Sequence, residues 1–292
     1  MEETTISTNS ILDTINELFG NIFSSVDNSI YELLDNITFI NSDIIENGSL
    51  SKLFGTSSTS GILLVCNALI LGIIIFYATN YLFSHLTYSK IQKPSQFIFK
   101  CVIFIGLMNE SLWICSQTIN IISLISGSIQ SIGQQILGEE ITFMNFIEKI
   151  NNTIYSSSEE ISITSFEGII KSVTTIGFMS LIFSYALRYI MIQVFVLLSP
   201  FAFLCLINDR TDWIFKSWIK AFMSLLVEQI LISLILLLAF SIEFTSDDTM
   251  SQIIYIGIIY ALIKANTYMY MLFGGITTSV SNNIGMLTRN TN

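Results

Sequence analysis

Four charged residues interrupt stretches that are otherwise apolar: Glu110, Arg188, Glu228 and Lys264. A charge at the centre of a membrane helix costs about 2.5–3.5 kcal/mol on insertion scales, so it faces protein or water and usually finds a partner. Two kinds of chemistry fit such residues. One is a polar pathway or proton relay; the other is a set of ion pairs that fixes helix register inside a bundle. Counting along the apolar runs places Lys264 about nine residues and Glu228 about eight residues from the same membrane face, on consecutive helices. Arg188 and Glu110 both fall near mid-membrane. The expected pairs are therefore Glu228 with Lys264 and Arg188 with Glu110. Two compensated pairs leave no spare carboxylate for a relay, which favours the fastening role.

The remaining reactive side chains offer less. His85 is the single histidine and lies in a basic connection. Cys66, Cys101, Cys115 and Cys205 all fall in apolar runs with no CxxC spacing, as small buried hydrophobes do. One histidine without a cysteine cluster makes no zinc site. No GxxxxGK[ST], HExxH or GxSxG run occurs. The expectation is a protein with no catalytic residue, no cofactor and no metal.

The elements that must hold those charges are hydrophobic helices. Of the 292 residues, 52% are hydrophobic and 12% charged, and the mean hydropathy is +0.67. Soluble domains carry about twice that charged fraction. The net charge of −10 comes with no basic stripe to meet phosphates, which argues against a nucleic-acid-binding domain. The start, MEETTISTNS, lacks the basic and apolar regions of a signal peptide, so the first crossing is expected to act as its own insertion signal.

A spanning helix needs about 20 apolar residues. The runs Gly61–Phe83, Phe97–Ile125, Ile169–Ile207, Ala221–Ile242 and Ile253–Phe273 meet that length. The third is read as one long helix to Leu198, a turn at Ser199–Pro200 and an interfacial segment 201–207; a hairpin there would make six crossings. The charges between the runs test the count. Residues 1–60 hold nine acidic side chains and Lys52, whereas 84–96 holds His85, Lys90 and Lys93 and no acid. The 126–168 connection is acidic again, with Glu139, Glu140, Glu148, Glu159, Glu160 and Glu167 against Lys149. The 208–220 connection carries Arg210, Lys216 and Lys220 beside Asp209 and Asp212, and 243–252 carries Glu243, Asp247 and Asp248. This alternation predicts five crossings, an outside N-terminus and a cytoplasmic C-terminus.

The predicted organisation is an all-α polytopic membrane bundle. Residues 1–60 form an extracellular amphipathic segment, 61–125 the first two crossings, 126–168 an acidic amphipathic extracellular loop, 169–275 a three-helix core with the cytoplasmic loop 208–220, and 276–292 a cytoplasmic tail. Within the first segment, Ile11, Ile15, Leu18, Phe19 and Ile22, then Ile30, Leu33, Leu34 and Ile37, recur at helical spacing. They read as helices on the outer membrane surface or on a partner. The Ser/Thr/Gly-rich stretch from Gly48 to Gly61 reads as a linker. Ile136, Ile141, Phe143, Met144, Ile147 and Ile150 give the acidic loop an apolar face. Trp213 and Trp218 suit an interfacial belt.

The run RYIMIQVFVLLSPFAFLCLINDRTDWIFKSWIKAFMSLLVEQIL, from Arg188 to Leu231, resembles the core of the TrbL/VirB6-type conjugal transfer proteins. The matching elements are an Arg in a long helix, a Leu-rich stretch ending at Pro200, the pair Arg210-Thr211, and Trp218 on a link before the next crossing. The composition is similar to the short form of the family found in Gram-positive conjugative elements. The resemblance implies a multi-pass plasma-membrane component of a type IV secretion complex, in several copies, with partner channel subunits and cytoplasmic ATPases. It implies transient contact with transferred single-stranded DNA and no catalysis by the chain itself. The basic 84–100 and 208–220 stretches would face those partners or the DNA, or simply satisfy the charge rule. The competing function is a small-molecule or ion transporter or pore, which would show an unpaired intramembrane charge or a helix broken at mid-membrane.

Overall fold

A computed structural model describes residues 28–46, 48–55, 60–87, 93–154, 166–242 and 249–274. Among the described residues every regular element is helical and none is a strand. In lipid a backbone must satisfy its own hydrogen bonds, which a helix does locally. The helices are α1 (Asn28–Thr38), α2 (Asp43–Glu46), α3 (Gly48–Phe54), α4 (Gly61–Thr87), α5 (Pro94–Asn109), α6 (Ser111–Leu137), α7 (Phe143–Ile154), α8 (Phe166–Leu204), α9 (Asp212–Ser241) and α10 (Thr249–Phe273), with a 3-10 turn at Cys205–Ile207. Five spans are long and apolar enough to cross a membrane: Gly61–Ser84, Ser111–Leu137, Ser172–Ile207, Asp212–Ser241 and Met250–Phe273. The chain is an all-α polytopic membrane bundle. The expected helix over residues 11–22 and the tail 276–292 lie outside the described residues.

Several boundaries differ from the sequence expectation. The second crossing is not Phe97–Ile125. The helix breaks at Glu110 (φ −89°, ψ 6°) into α5 and α6, and only α6 is long enough to span. Local polar groups favour the break: the Asn109 amide donates to the Ile105 carbonyl and the Ser111 hydroxyl to the Met108 carbonyl. Residues 126–137 are therefore helix rather than loop. The α6 helix ends at Gly138, whose φ of 73° is the left-handed cap conformation that glycine adopts freely.

The Gly48–Gly61 stretch is not a simple linker, since residues 48–54 form α3. The 208–220 loop is also mostly helix, because α9 begins at Asp212. Nor does the chain turn at Ser199–Pro200. Helix α8 passes through Pro200 to Leu204. Its 39 residues span roughly 58 Å at 1.5 Å each, against a hydrocarbon core of about 30 Å.

Two apolar clusters stack along the bundle. One lies toward the end that carries Lys100, Asp209 and Arg210, called here the basic end. It joins Phe97, Cys101, Cys115, Ile192, Phe195, Ile207, Trp218 and Phe222 with Ile40, Ile44, Leu50 and Phe54 of the N-terminal segment. The other lies toward the acidic end, with Glu139 and Glu140, and joins Leu34, Phe143, Phe146, Phe178, Leu181, Tyr185, Leu236 and Tyr255. Helices α9 and α10 pack together, and α8 touches both. Close approach of α8 and α10 relies on Gly177, where a Cβ would stand 2.8 Å from Cγ2 of Ile259. Helix α4 is the least covered: Leu71, Ile75, Phe76, Leu82, Phe83 and Leu86 are all exposed.

The N-terminal segment is not laid on the surface or reserved for a partner over the residues described. Helix α1 packs on α7 and α8 of its own chain, with Leu34 buried and Leu33 exposed. Its residues reach the acidic-end cluster, while α2 and α3 reach the basic-end cluster. The segment thus runs along the bundle interior, and its non-helical stretch 39–42 lies where the two clusters meet.

Candidate functional site

The two charges most deeply placed come from helices that pack against each other. Arg188 and Glu228 are both fully buried, with Arg188 Nε 3.5 Å from a Glu228 carboxylate oxygen. Arg188 lies 16 residues after Ser172 and 19 before Ile207, close to the middle of its span. The guanidinium spreads its donors: Nε also donates to the Leu225 carbonyl at 2.7 Å, and Nη1 to the Thr38 carbonyl at 2.9 Å. The same carboxylate oxygen of Glu228 accepts from the Asn266 amide at 2.8 Å. Four helices, α1, α8, α9 and α10, thereby meet at one polar point.

This corrects the expected pairing. Arg188 pairs with Glu228, not with Glu110, and Glu228 does not pair with Lys264. Glu110 is exposed at the α5–α6 break. Lys264 is half-buried, and its ammonium lies 5.6 Å from the centre of the Tyr260 ring, within the range of a cation–π contact. The error came from the helix ends. The α9 helix begins at Asp212 and not at Ala221, which carries Glu228 about 13 Å further from the basic end.

A second polar relay lies one residue along α9. Gln229 accepts the Ile40 N–H at 3.1 Å through its side-chain oxygen and donates to the Ser126 hydroxyl at 2.8 Å through its nitrogen. The helix that ends at Thr38 leaves carbonyls unpaired, and the stretch after it offers free N–H groups. Arg188 takes the Thr38 carbonyl and Gln229 the Ile40 N–H. A break in the backbone inside an apolar bundle is tolerated on these terms.

Asp35, one turn before Thr38, docks α1 on α7. Its two carboxylate oxygens accept the N–H groups of Phe143 at 2.8 Å and Met144 at 3.4 Å, at the start of α7. An anion is favoured there by the unpaired N–H groups and the helix dipole. Burial nonetheless pushes the Asp35 carboxyl up to about 6, the backbone donors opposing it and Glu140 adding to it.

The residues of the resemblance form a different unit, the α8–α9 hairpin. Pro200 has no N–H for the Val196 carbonyl, and the Ser199 hydroxyl donates to that carbonyl instead at 2.7 Å. Trp218 is buried and gives its indole N–H to the Phe195 carbonyl at 3.0 Å. Its ring stacks on Phe222 and meets Phe203 and Phe215. Trp218 is therefore a hairpin contact and not an interfacial belt residue; Trp213 is the exposed one. The Thr211 hydroxyl closes the turn on the carbonyls of Cys205 and Asn208 at 2.7 and 3.1 Å. Arg210 is exposed, and its backbone N–H donates to the Asn208 side chain. Lys100 pairs with Asp209 beside this turn.

Sequence reasoning singled out Arg188 and Glu228 but missed Gln229, Asn266, Ser126, Asp35 and the Thr38–Ile40 backbone. The Glu228-Gln229 doublet inside an apolar run was the available signal for Gln229. All four cysteines are free thiols, three of them buried. Among the described residues no group of His, Cys, Asp and Glu is placed to hold a metal. No protein-family model matches the chain, and no curated protein matches it in sequence.

Proposed function

We propose that the chain is a non-catalytic, multi-pass plasma-membrane subunit of a conjugative type IV secretion complex, with its C-terminus in the cytoplasm. In this reading several copies scaffold or form the translocation channel for single-stranded DNA, and partner ATPases supply the energy. The observation that carries it is the α8–α9 hairpin. Pro200, Thr211 and Trp218, three of the residues through which the sequence resembles TrbL/VirB6-type proteins, form one structural unit whose hydrogen bonds interlock. Arg210, the fourth, stands exposed at the tip of that unit beside Lys216 and Lys220, where partners on the basic side would meet it.

The buried polar point fits a scaffold. Arg188 and Glu228 compensate each other, and apolar residues lie within two turns on either side: Leu181 and Tyr185 toward the acidic end, Ile192 and Phe195 toward the basic end. A DNA path is then expected between copies and not through one bundle. The second reading, a small-molecule or ion transporter, draws on the helix break at residues 39–42 beside a buried charge pair. Against it, the Thr38 carbonyl and the Ile40 N–H are already bonded to the chain's own Arg188 and Gln229.

Deletion of the coding sequence from a conjugative element that carries it decides between them. Loss of transfer with normal growth, restored by the wild-type chain in trans, is the expected result. Normal transfer in the deletion strain removes the secretion reading. A solute-uptake defect in its place would favour the transporter.

A further inference from the structure

The hydrogen bonds around Arg188 and Glu228 do not use every polar atom there. Arg188 Nη2 and Glu228 Oε1 are buried and without a protein partner, and so are the hydroxyls of Thr38, Ser184 and Ser224. All five belong to the ion pair or to residues linked to it by a hydrogen bond or by one helical turn. Nη2 and Oε1 are the unused atoms of the ion pair itself. Thr38 gives its carbonyl to the Arg188 guanidinium, and Ser224 directly precedes Leu225, which does the same. Ser184 sits one helical turn from Arg188, and Ser224 one turn from Glu228, on helices that pack together. All four residues other than Glu228, and Glu228 too, are nine-tenths buried or more.

Polar atoms buried in an apolar setting without partners are rare, and a cluster of them points to something that bonds them. The chemistry of the cluster narrows the occupant. Nη2 can only donate, Oε1 of the carboxylate accepts, and the three hydroxyls do either. Arg188 and Glu228 already cancel each other's charge, so a sodium or chloride ion would stand as an uncompensated charge in a low-dielectric interior. Water, unlike either ion, donates and accepts at once and adds no charge.

We propose that the Arg188–Glu228 pair carries a bound-water site, lined by Thr38, Ser184 and Ser224 and enclosed between the two apolar clusters. The water completes the hydrogen bonds of both charges and ties the N-terminal segment to α8 and α9. The inference is independent of the secretion reading, since it concerns only the interior of one copy.

Radiolytic hydroxyl-radical footprinting in H2(18)O, on the full chain in lipid nanodiscs, tests it. Radicals formed from bound water oxidise reactive side chains next to it, and Tyr185 lies beside the pair, fully buried, one turn from Arg188. The expected result is 18O-labelled oxidation of Tyr185, with the equally buried Met108 of the basic-end cluster unmodified. The variants Thr38→Val, Ser184→Ala and Ser224→Ala, singly and together, should each reduce the Tyr185 label, the triple variant to the Met108 background. An unlabelled Tyr185 in the wild type overturns the site, as does a label that survives the triple variant. A label that varies with sodium or chloride concentration overturns water as the occupant.

Discussion

Arg188 illustrates what a residue type discloses and what it does not. Its position in an apolar run announced a charge inside the bundle, but its partners depend on helix ends that apolarity alone misplaces. Cutting the run at Ala221 hid the amphipathic first turns of α9, where Asp212, Lys216 and Lys220 stand beside Trp213. Breaking a buried pair leaves one uncompensated charge and costs about 3–5 kcal/mol. Arg188→Leu and Glu228→Leu should each lower the thermal stability of the purified protein by that order. The double variant should recover part of the loss and not all, because Arg188 also serves the carbonyls of Thr38 and Leu225. Equal loss in all three would mean the pair contributes nothing beyond its separate contacts. Asp35 adds a pH dependence. Its carboxyl sits near pH 6 when folded against about 3.9 in an unfolded chain. The folded state therefore holds the proton to higher pH, so this contribution is full below about pH 4 and is lost as pH rises through about 6. Melting curves of wild type and Asp35→Asn between those pH values should show the wild type losing ground by up to about 3 kcal/mol as pH rises. An unchanged difference would place the titration elsewhere.

At the scale of elements, the sequence marks helices well and their interruptions badly. Pro200 reads as a stop, yet α8 continues, because the unpaired Val196 carbonyl finds the Ser199 hydroxyl within its own helix and the adjacent Phe195 carbonyl takes the indole of Trp218 from the next one. The first of these was legible as a Ser-Pro pair; the second is a contact across 23 residues and was not. Glu110 shows the reverse, a break in a run that hydropathy joins. The amphipathic periodicity of residues 30–37 was also legible, but a period says which face is apolar and not what it meets. Trp218→Phe keeps most of the ring packing and removes the indole donor, and should cost about 1–2 kcal/mol. Trp218→Ala empties the Phe203–Phe215–Phe222 cluster and should cost about 3–5 kcal/mol. Urea or thermal unfolding of the detergent-solubilised chain separates the two. If both variants cost the same, the hydrogen bond and not the packing holds the hairpin.

For the whole molecule, the two ends of the bundle must lie on opposite sides of any membrane that the five spans traverse. The charges then decide which side is which. Lys100, Arg210, Lys216 and Lys220 gather at one end, Glu139, Glu140 and Glu148 at the other, and cations favour the cytoplasmic face. Among the described residues, α8 and its 3-10 turn carry the chain from the acidic-end helix α7 to the hairpin turn at residues 208–211. Two engineered thiols therefore report on one crossing. Native thiols interfere little, because Cys66, Cys101 and Cys115 are buried, and Cys205 can be replaced by Ala. A cysteine in place of exposed Glu139 should react with a membrane-impermeant maleimide on intact cells. A cysteine in place of exposed Arg210 should react only after permeabilisation. The opposite order would invert the bundle and carry the basic hairpin away from any cytoplasmic ATPase, removing the physical basis for that partnership. Reaction of both from one side would mean that α8, despite its length, does not cross, and the five-span bundle would fail with it.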